Sequence, residues 1–248
     1  MTGLAAKARK LAGILAVPAW RAALRRHRVA AGVEHARVLS NLGGVQSVVD
    51  IGANRGQFGL VARHCFPRAL VYSFEPLKAP GATFEKLFSR DGLTRLFPYA
   101  VGPETGEREI HISARDDSSS LLPITDRQDK LFPGTAEQGR EMIRVVRLND
   151  CLSEDDLSGP ALLKLDVQGF ELEALQGSEE LLGCFQLVYV ECSFVELYEG
   201  QALADEVIAW LRDRGFKLSG VYNMAYDLDG RAIQADFLFD REQANPSA

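Results

Sequence analysis

Ser47-Val-Val-Asp-Ile-Gly-Ala-Asn-Arg-Gly-Gln-Phe-Gly59 decides how the rest of the chain is read. Ser47 to Ile51 is rich in β-branched residues and reads as a strand. It runs into a glycine loop. From Gln57 an apolar pattern at helical spacing follows through Phe58, Val61, Ala62 and Cys65. Strand, glycine turn and helix in that order open the nucleotide site of a doubly wound α/β sheet. Gly52 permits a tight turn, and Gly56 is expected to let the backbone approach a ligand closely. The helix start then offers free N–H groups and a positive dipole end to an anion. The plainer reading is a turn that only closes a βα unit, because a lone glycine motif is a weak signal.

The spacing narrows the ligand. A dinucleotide fingerprint has the form G-x-G-x-x-G, and here Asn54 stands where its second glycine belongs. That makes a poor pyrophosphate cradle. It suits a smaller anion, such as the amino-acid carboxylate of S-adenosylmethionine. Leu70 to Phe74 reads as the next strand, ending in Glu75-Pro76. Glu75 follows Gly52 at roughly the interval, about 20 residues, at which an acid meets a ribose diol. The alternative for Glu75 is an exposed acid at a strand end.

Composition sets wide bounds. The 248 residues suit one large α/β domain with additions, or two small ones, and 25% charged with 46% hydrophobic residues permits an ordinary core. Four cysteines, Cys65, Cys151, Cys184 and Cys192, form no C-x-x-C pair, so a structural zinc site is not expected and a reducing cytoplasm fits best. The net charge of −6 hides an asymmetry: residues 1–40 carry eight Lys or Arg and one acid, which is +7 and leaves −13 for the remainder. A body so acidic argues against general nucleic-acid binding.

Residues 1–41 read as a basic extension of one or two helices, broken near Pro18. The apolar run there is only about seven residues and an Arg-rich helix follows, so neither a signal peptide nor a membrane span is expected. Two readings stand: a helical cap packed on the body, or a peripheral helix touching anionic lipid or an acidic partner. From residue 42 strands and helices alternate. After strands at 47–51 and 70–74 come a helix near 78–89 and a third strand near 94–100. Arg108 to Ser113 and Met142 to Arg147 read as a strand pair carrying a polar loop. They form an inserted segment, residues 105–148, that suits a lid or substrate loop. Ala161 to Asp166 is a fourth core strand, turning through Gln168-Gly169 into a helix. Phe185 to Ser193 is a fifth, with Glu191 near its end. A helix from about Ala202 to Arg214 and strands at 216–222 and 234–240 complete a domain over residues 42–241. Residues 242–248 read as a frayed tail.

Glu75, Asp166 and Glu191 thus stand at or near the carboxyl ends of core strands, with Asp50 near the end of the first. Ligands of open α/β sheets bind at that edge. Asp166 has an alternative as a helix N-cap. Taken in order, Val49-Asp-Ile-Gly-Ala-Asn-Arg-Gly56, Phe74-Glu-Pro76, Ser118-Ser-Ser-Leu121, Leu148-Asn-Asp150, Leu163-Lys-Leu-Asp-Val-Gln-Gly-Phe-Glu-Leu-Glu-Ala-Leu-Gln-Gly177 and the run from Glu191 to Gly200 resemble the FkbM family of S-adenosylmethionine-dependent methyltransferases. The resemblance implies an α/β, class I methyltransferase (Rossmann-like) doubly wound sheet, and methyl transfer to a hydroxyl of a sugar, glycoside or natural-product-like small molecule. It implies a donor site of Asp50, Gly52, Ala53, Asn54, Gly56, Glu75, Pro76 and Ala100, with Ala100 ending strand three beside the adenine. Asn149 departs from the family pattern, which usually has an acid there, and this weakens a metal site built on Asn149 and Asp150. The helices of residues 1–41 lie outside the resemblance.

Transfer of a methyl group from a sulfonium to oxygen needs in-line alignment and loss of the hydroxyl proton. Alignment alone contributes about 7–11 kcal/mol. A carboxylate in reach of the hydroxyl contributes roughly 10²–10⁴-fold. Asp166 is the first candidate base and Glu191 the second. Both could instead orient hydroxyls or share a divalent ion. Ser118, Ser119 and Ser120 are candidates for contact with cofactor or acceptor, with a solvated loop as the alternative. His111 reads as structural, because nothing near it in sequence would orient it as a base, and His27, His35 and His64 fall on helices. An NAD-dependent oxidoreductase and a cofactor-binding module without turnover are the competing readings.

Overall fold

A computed structural model describes residues 3–241, with backbone alone for residues 3–7. The tail predicted at 242–248 lies outside the described residues. Strand β1 (Ser47–Ile51) is buried along its whole length. Its β-branched run fits a parallel strand covered on both faces. It pairs in parallel with β2 (Leu70–Phe74) on one side and with β7 (Ala161–Leu165) on the other. β3 (Thr94–Phe97) adds beyond β2, and β8 (Phe185–Ser193) beyond β7. Then β10 (Ala232–Arg241) runs antiparallel between β8 and β9 (Phe216–Tyr226), giving the order β3-β2-β1-β7-β8-β10-β9. The chain leaves β1 toward β2 and returns on its other side as β7. A crevice therefore opens at the carboxyl ends of these strands, where a ligand binds in sheets of this kind.

Strand three is shorter than the sequence pattern predicts. It stops at Phe97, and Ala100–Val101 forms β4 in a second sheet. Pro98 supplies no N–H for the ladder, so the chain turns out of the main sheet there. The inserted strand pair is accordingly a three-stranded sheet, β4-β6-β5, in which β6 (Glu137–Val146) pairs with β5 (Gly106–Ser113) and with β4.

The basic extension folds as three helices, not one or two: α1 (Gly3–Ala16), α2 (Pro18–His27) and α3 (Val33–Leu39). Pro18 breaks the first from the second, and Arg28, in the left-handed conformation at φ 58°, ends the second. Ile14, Trp20, Ala23, Val29, Ala31, Val38 and Leu39 are buried in one cluster with Val48, Phe58 and Val61. The last two lie on α4 (Gln57–Cys65), the helix that follows β1. The Trp20 indole also donates to the Leu60 carbonyl at 3.1 Å. The extension is thus a cap sharing the core on one face of the sheet.

Candidate active site

A cleft of about 370 Å³ opens at the carboxyl edge of β1, β2, β7 and β8. The loop after β1 forms one wall. Gly52 sits at φ +82°, and a Cβ there would lie 1.9 Å from the Asp166 carbonyl oxygen. Only glycine lets this loop pass so close to the end of β7. Ala53, Asn54, Glu75, Pro76 and Ala100 line the cleft beside it. Glu75 is buried, and its two oxygens accept the backbone N–H groups of Asn54 (2.9 Å) and Leu77 (2.8 Å). Burial outweighs these bonds and raises its pKa to about 7. An acid spanning the ends of two loops still keeps lone pairs for further donors.

Asp50 and Gly56 stand elsewhere than the sequence reading placed them, for neither lines the cleft. Gly56, at φ +93°, caps α4, and a Cβ would meet the Phe88 ring at 2.6 Å. Its glycine is required by helix packing, not by close approach of a ligand. Asp50 is fully buried beneath the loop, with its Oδ1 3.2 Å from the ammonium of Lys164. The contact is ionic, since neither carboxylate oxygen has a well-directed hydrogen bond. Burial raises the Asp50 pKa, and Lys164 opposes the rise. Lys164 is itself buried. Desolvation would lower its pKa, but Asp50 and then Asp166, 3.7 Å away, prevail and hold it above the usual value. Lys164 also donates to the Gly52 carbonyl at 3.3 Å, so one ammonium ties the donor loop to β7.

The two candidate bases meet across the cleft floor. The amide nitrogen of Gln168 donates to Asp166 Oδ1 at 2.7 Å and to Glu191 Oε2 at 3.3 Å. Glu191 Oε1 accepts from Gln234 at 2.9 Å. Burial, with the negative charges of Asp166, Asp236 and Glu171, raises the Glu191 pKa well above the ordinary range. Two carboxylates so placed share a site unevenly, and Glu191 is the one pushed toward its protonated form. The alternative role of Asp166 as a helix cap does not apply, because α7 begins five residues later (Glu171–Gln176) and Phe170 holds the cap position. The turn between them is held by buried Glu171, whose carboxylate accepts from the N–H groups of Val167 and Gly169. Burial brings its pKa up to about 7.

Ser118, Ser119 and Ser120 line the cleft, but each hydroxyl bonds within the protein. Ser120 donates to the Gln168 carbonyl at 2.6 Å, Ser119 accepts from the Ser113 N–H, and Ser118 contacts Asp117. The serines fasten the inserted segment to the turn that carries Gln168. The Tyr198 hydroxyl reinforces this by donating to Gln168 Oε1 at 2.7 Å. Arg55 pairs with Asp116, joining the insert to the loop after β1.

Sequence reasoning passed over Lys164, Gln168, Glu171 and His35. A lysine inside an apolar strand was the one legible signal, since lysine is almost never fully buried unless paired. His111 does have an orienting acid, Glu137 at 2.8 Å across the strand pair, but it lies outside the cleft lining. Asn149 bonds to Glu180, and Asp150 to Thr105 and Arg147, also outside it. Among the described residues no group of three or more His, Cys, Asp or Glu side chains is placed to hold a metal ion.

Comparison with known proteins agrees with this geometry. Residues 50–218 match the family described as Methyltransferase FkbM domain. The chain is 29% identical over 160 residues to the 2-O-methyltransferase NoeI of Sinorhizobium fredii, covering 62% of this chain and 66% of that protein. It is 26% identical to Methyltransferase sdnD of Sordaria araneosa, covering 75% of this chain and 79% of that one. To the 31-O-demethyl-FK506 methyltransferase FkbM of Streptomyces tacrolimicus it is 27% identical, covering 68% and 72%. With the family match spanning more than half its length, and with the sheet order and acid-edged cleft of a Rossmann-like methyltransferase, this chain belongs to the FkbM methyltransferase family.

Proposed function

We propose that the protein transfers a methyl group from S-adenosylmethionine to a hydroxyl of a sugar, glycoside or natural-product-like small molecule. The observation that carries this is the Asp166–Gln168–Glu191 arrangement on the cleft floor, at the ends of β7 and β8, with the glycine loop at the end of neighbouring β1 and Glu75 beyond it at the end of β2. The residues present fit the donor. Glu75 would take the ribose hydroxyls, residues 52–54 the methionine end, and Ala100 with Leu77 and Phe170 the adenine side. When bound, the donor supplies an electrophilic methyl group on a sulfonium, displaced in line by the acceptor oxygen. The protein's own part is to align that oxygen and take its proton. Asp166 Oδ2 is the proton acceptor. Gln168 holds the carboxylate through Oδ1, and the Lys164 ammonium lies 3.7 Å from Oδ2. Protonated Glu191 is a hydroxyl-orienting partner. Two of the named relatives are O-methyltransferases by name, which supports oxygen as the atom methylated. No step of this reading requires a divalent ion.

The test is incubation with labelled donor and a panel of hydroxylated glycosides and lipids, using wild type and Asp166→Asn. Labelled product from wild type is expected, with turnover about 10²-fold lower or worse in the variant at unchanged donor affinity. Wild-type turnover in Asp166→Asn would remove Asp166 as base. Recovery of the variant by added Mg²⁺ or Mn²⁺ would point to a shared metal. Tight donor binding with no acceptor methylated would favour a binding module. We place the enzyme in a reducing cytoplasm on its cysteine usage. No described helix is long and apolar enough to cross a membrane.

A further inference from the structure

His35 reaches the cleft from α3, in the extension that precedes the family match. Its ring is clamped from behind. Nδ1 lies 3.1 Å from the Tyr189 hydroxyl and 3.4 Å from Asp236 Oδ2. Tyr189 and Asn223 both donate to that same Asp236 oxygen, at 2.9 and 2.7 Å. The tyrosine proton is therefore committed to Asp236, and what faces His35 from either neighbour is a lone pair. Nδ1 must carry the proton. In the neutral ring Nε2 is then an acceptor. Among the described residues Nε2 has no hydrogen-bond partner. The ring is further fixed edge-on to Phe58, with centroids 5.4 Å apart. Gly32 leaves room for it, since a Cβ there would stand 2.9 Å from Cδ2. Asp236 lies on β10, which, like α3, falls outside the residues that the family model matches.

We propose that His35, oriented by Asp236 and Tyr189, is an acceptor-binding residue whose Nε2 receives a hydrogen bond from a hydroxyl of the acceptor. The proposal rests on the O-methyltransferase reading and adds which part of the chain selects the acceptor. The Lys10–Glu34 ion pair and Gln234 also line the cleft and offer further polar contacts of the kind a polyhydroxylated molecule uses. With Nδ1–H held by these partners, the ring presents Nε2 as an acceptor and favours molecules that carry an O–H at its position over analogues with an ether or hydrogen there.

Two measurements test this. Nitrogen NMR of histidine-labelled protein should show neutral His35 as the Nδ1–H tautomer, and an Nε2–H tautomer overturns the proposal whether or not an acceptor is in hand. With the acceptor that the panel identifies, H35N keeps a donor at the Nδ1 position but removes Nε2. It should raise the acceptor KM about two- to tenfold while donor Kd and kcat stay near wild type. H35Q, whose amide oxygen can reach the Nε2 position, should recover part of the loss. An unchanged acceptor KM in H35N, or equal losses in donor affinity, kcat and melting temperature, overturns the binding role in favour of a structural one. If no panel member is methylated, the O-methyl reading fails, and the acceptor class assigned to His35 fails with it.

Discussion

Lys164 shows how much of this site is carried by one buried charge. Its ammonium holds Asp50 on one side, Asp166 on another and the Gly52 carbonyl on a third. Removing one partner of a buried pair leaves the other desolvated and uncompensated, at a cost of about 3–5 kcal/mol. Lys164→Met should therefore destabilise the fold by roughly that amount in urea denaturation. Asp50→Asn placed in the same chain should restore part of it, because the orphaned charge is then gone. A Lys164→Met protein of wild-type stability would mean that Asp50 is protonated in the native state and the pair is not ionic. Asp50→Ala should weaken donor binding only through Lys164 and the loop, since Asp50 does not face the cleft. Glu75→Ala removes a direct partner of the ribose, and calorimetry should show a loss of roughly 1.5–3 kcal/mol in donor affinity.

At the scale of elements, α2 illustrates what a cap contributes. Trp20 is buried and hydrogen-bonded to α4, the helix that opens the donor site. Trp20→Ala should cost about 3–5 kcal/mol of stability by chemical denaturation. If the extension were only a surface helix, the change would be within about 0.5 kcal/mol. Leu11 and Leu15 of α1 remain exposed, and they are the residues by which a peripheral lipid contact would be seen in vesicle sedimentation. The elements of the core were legible because buried parallel strands leave apolar β-branched runs, and β1, β2, β7 and β8 fall where those runs lie. The split of strand three at Pro98 was readable from the proline alone, but the second sheet was not, since Ala100 and Val101 give two residues of pattern. The acids at the strand ends were visible because their chemistry is local to the sequence. Gln168 and Glu171 were not: an amide and a carboxylate in a turn acquire their roles only when β7 and β8 are side by side. His35 needed Asp236 from the far end of the chain.

Over the whole molecule the acids divide into two groups with opposite pH signatures. Glu75 and Glu171 both titrate near pH 7, pushed up chiefly by burial. Because the native state then binds protons more tightly than the unfolded chain, each contributes stability that is full below about pH 4.5 and is lost as pH rises through about 7. From an ordinary value of 4.5 to about 7, the loss is at most about 3 kcal/mol per group. Asp236 runs the other way. Burial alone would raise its pKa, but hydrogen bonds from His35, Asn223 and Tyr189 hold it below the usual value, and its contribution disappears only in acid. The free protein should therefore be less stable at pH 8 than at pH 6, and Glu171→Gln should flatten that slope. Donor binding changes the balance at Glu75 alone. Both of its oxygens already accept a backbone N–H, and a ribose diol brings two more donors. A carboxylate, which only accepts, can take both, whereas a protonated acid has one fewer place to receive them. Binding of S-adenosylhomocysteine near pH 7 should accordingly release a fraction of a proton, seen by calorimetry as a binding enthalpy that depends on the buffer's ionisation heat. Glu75→Gln should abolish that dependence while Glu171→Gln leaves it in place. Binding with no proton release in the wild type would mean that Glu75 is already ionised before the ligand arrives, or that the diol lies elsewhere.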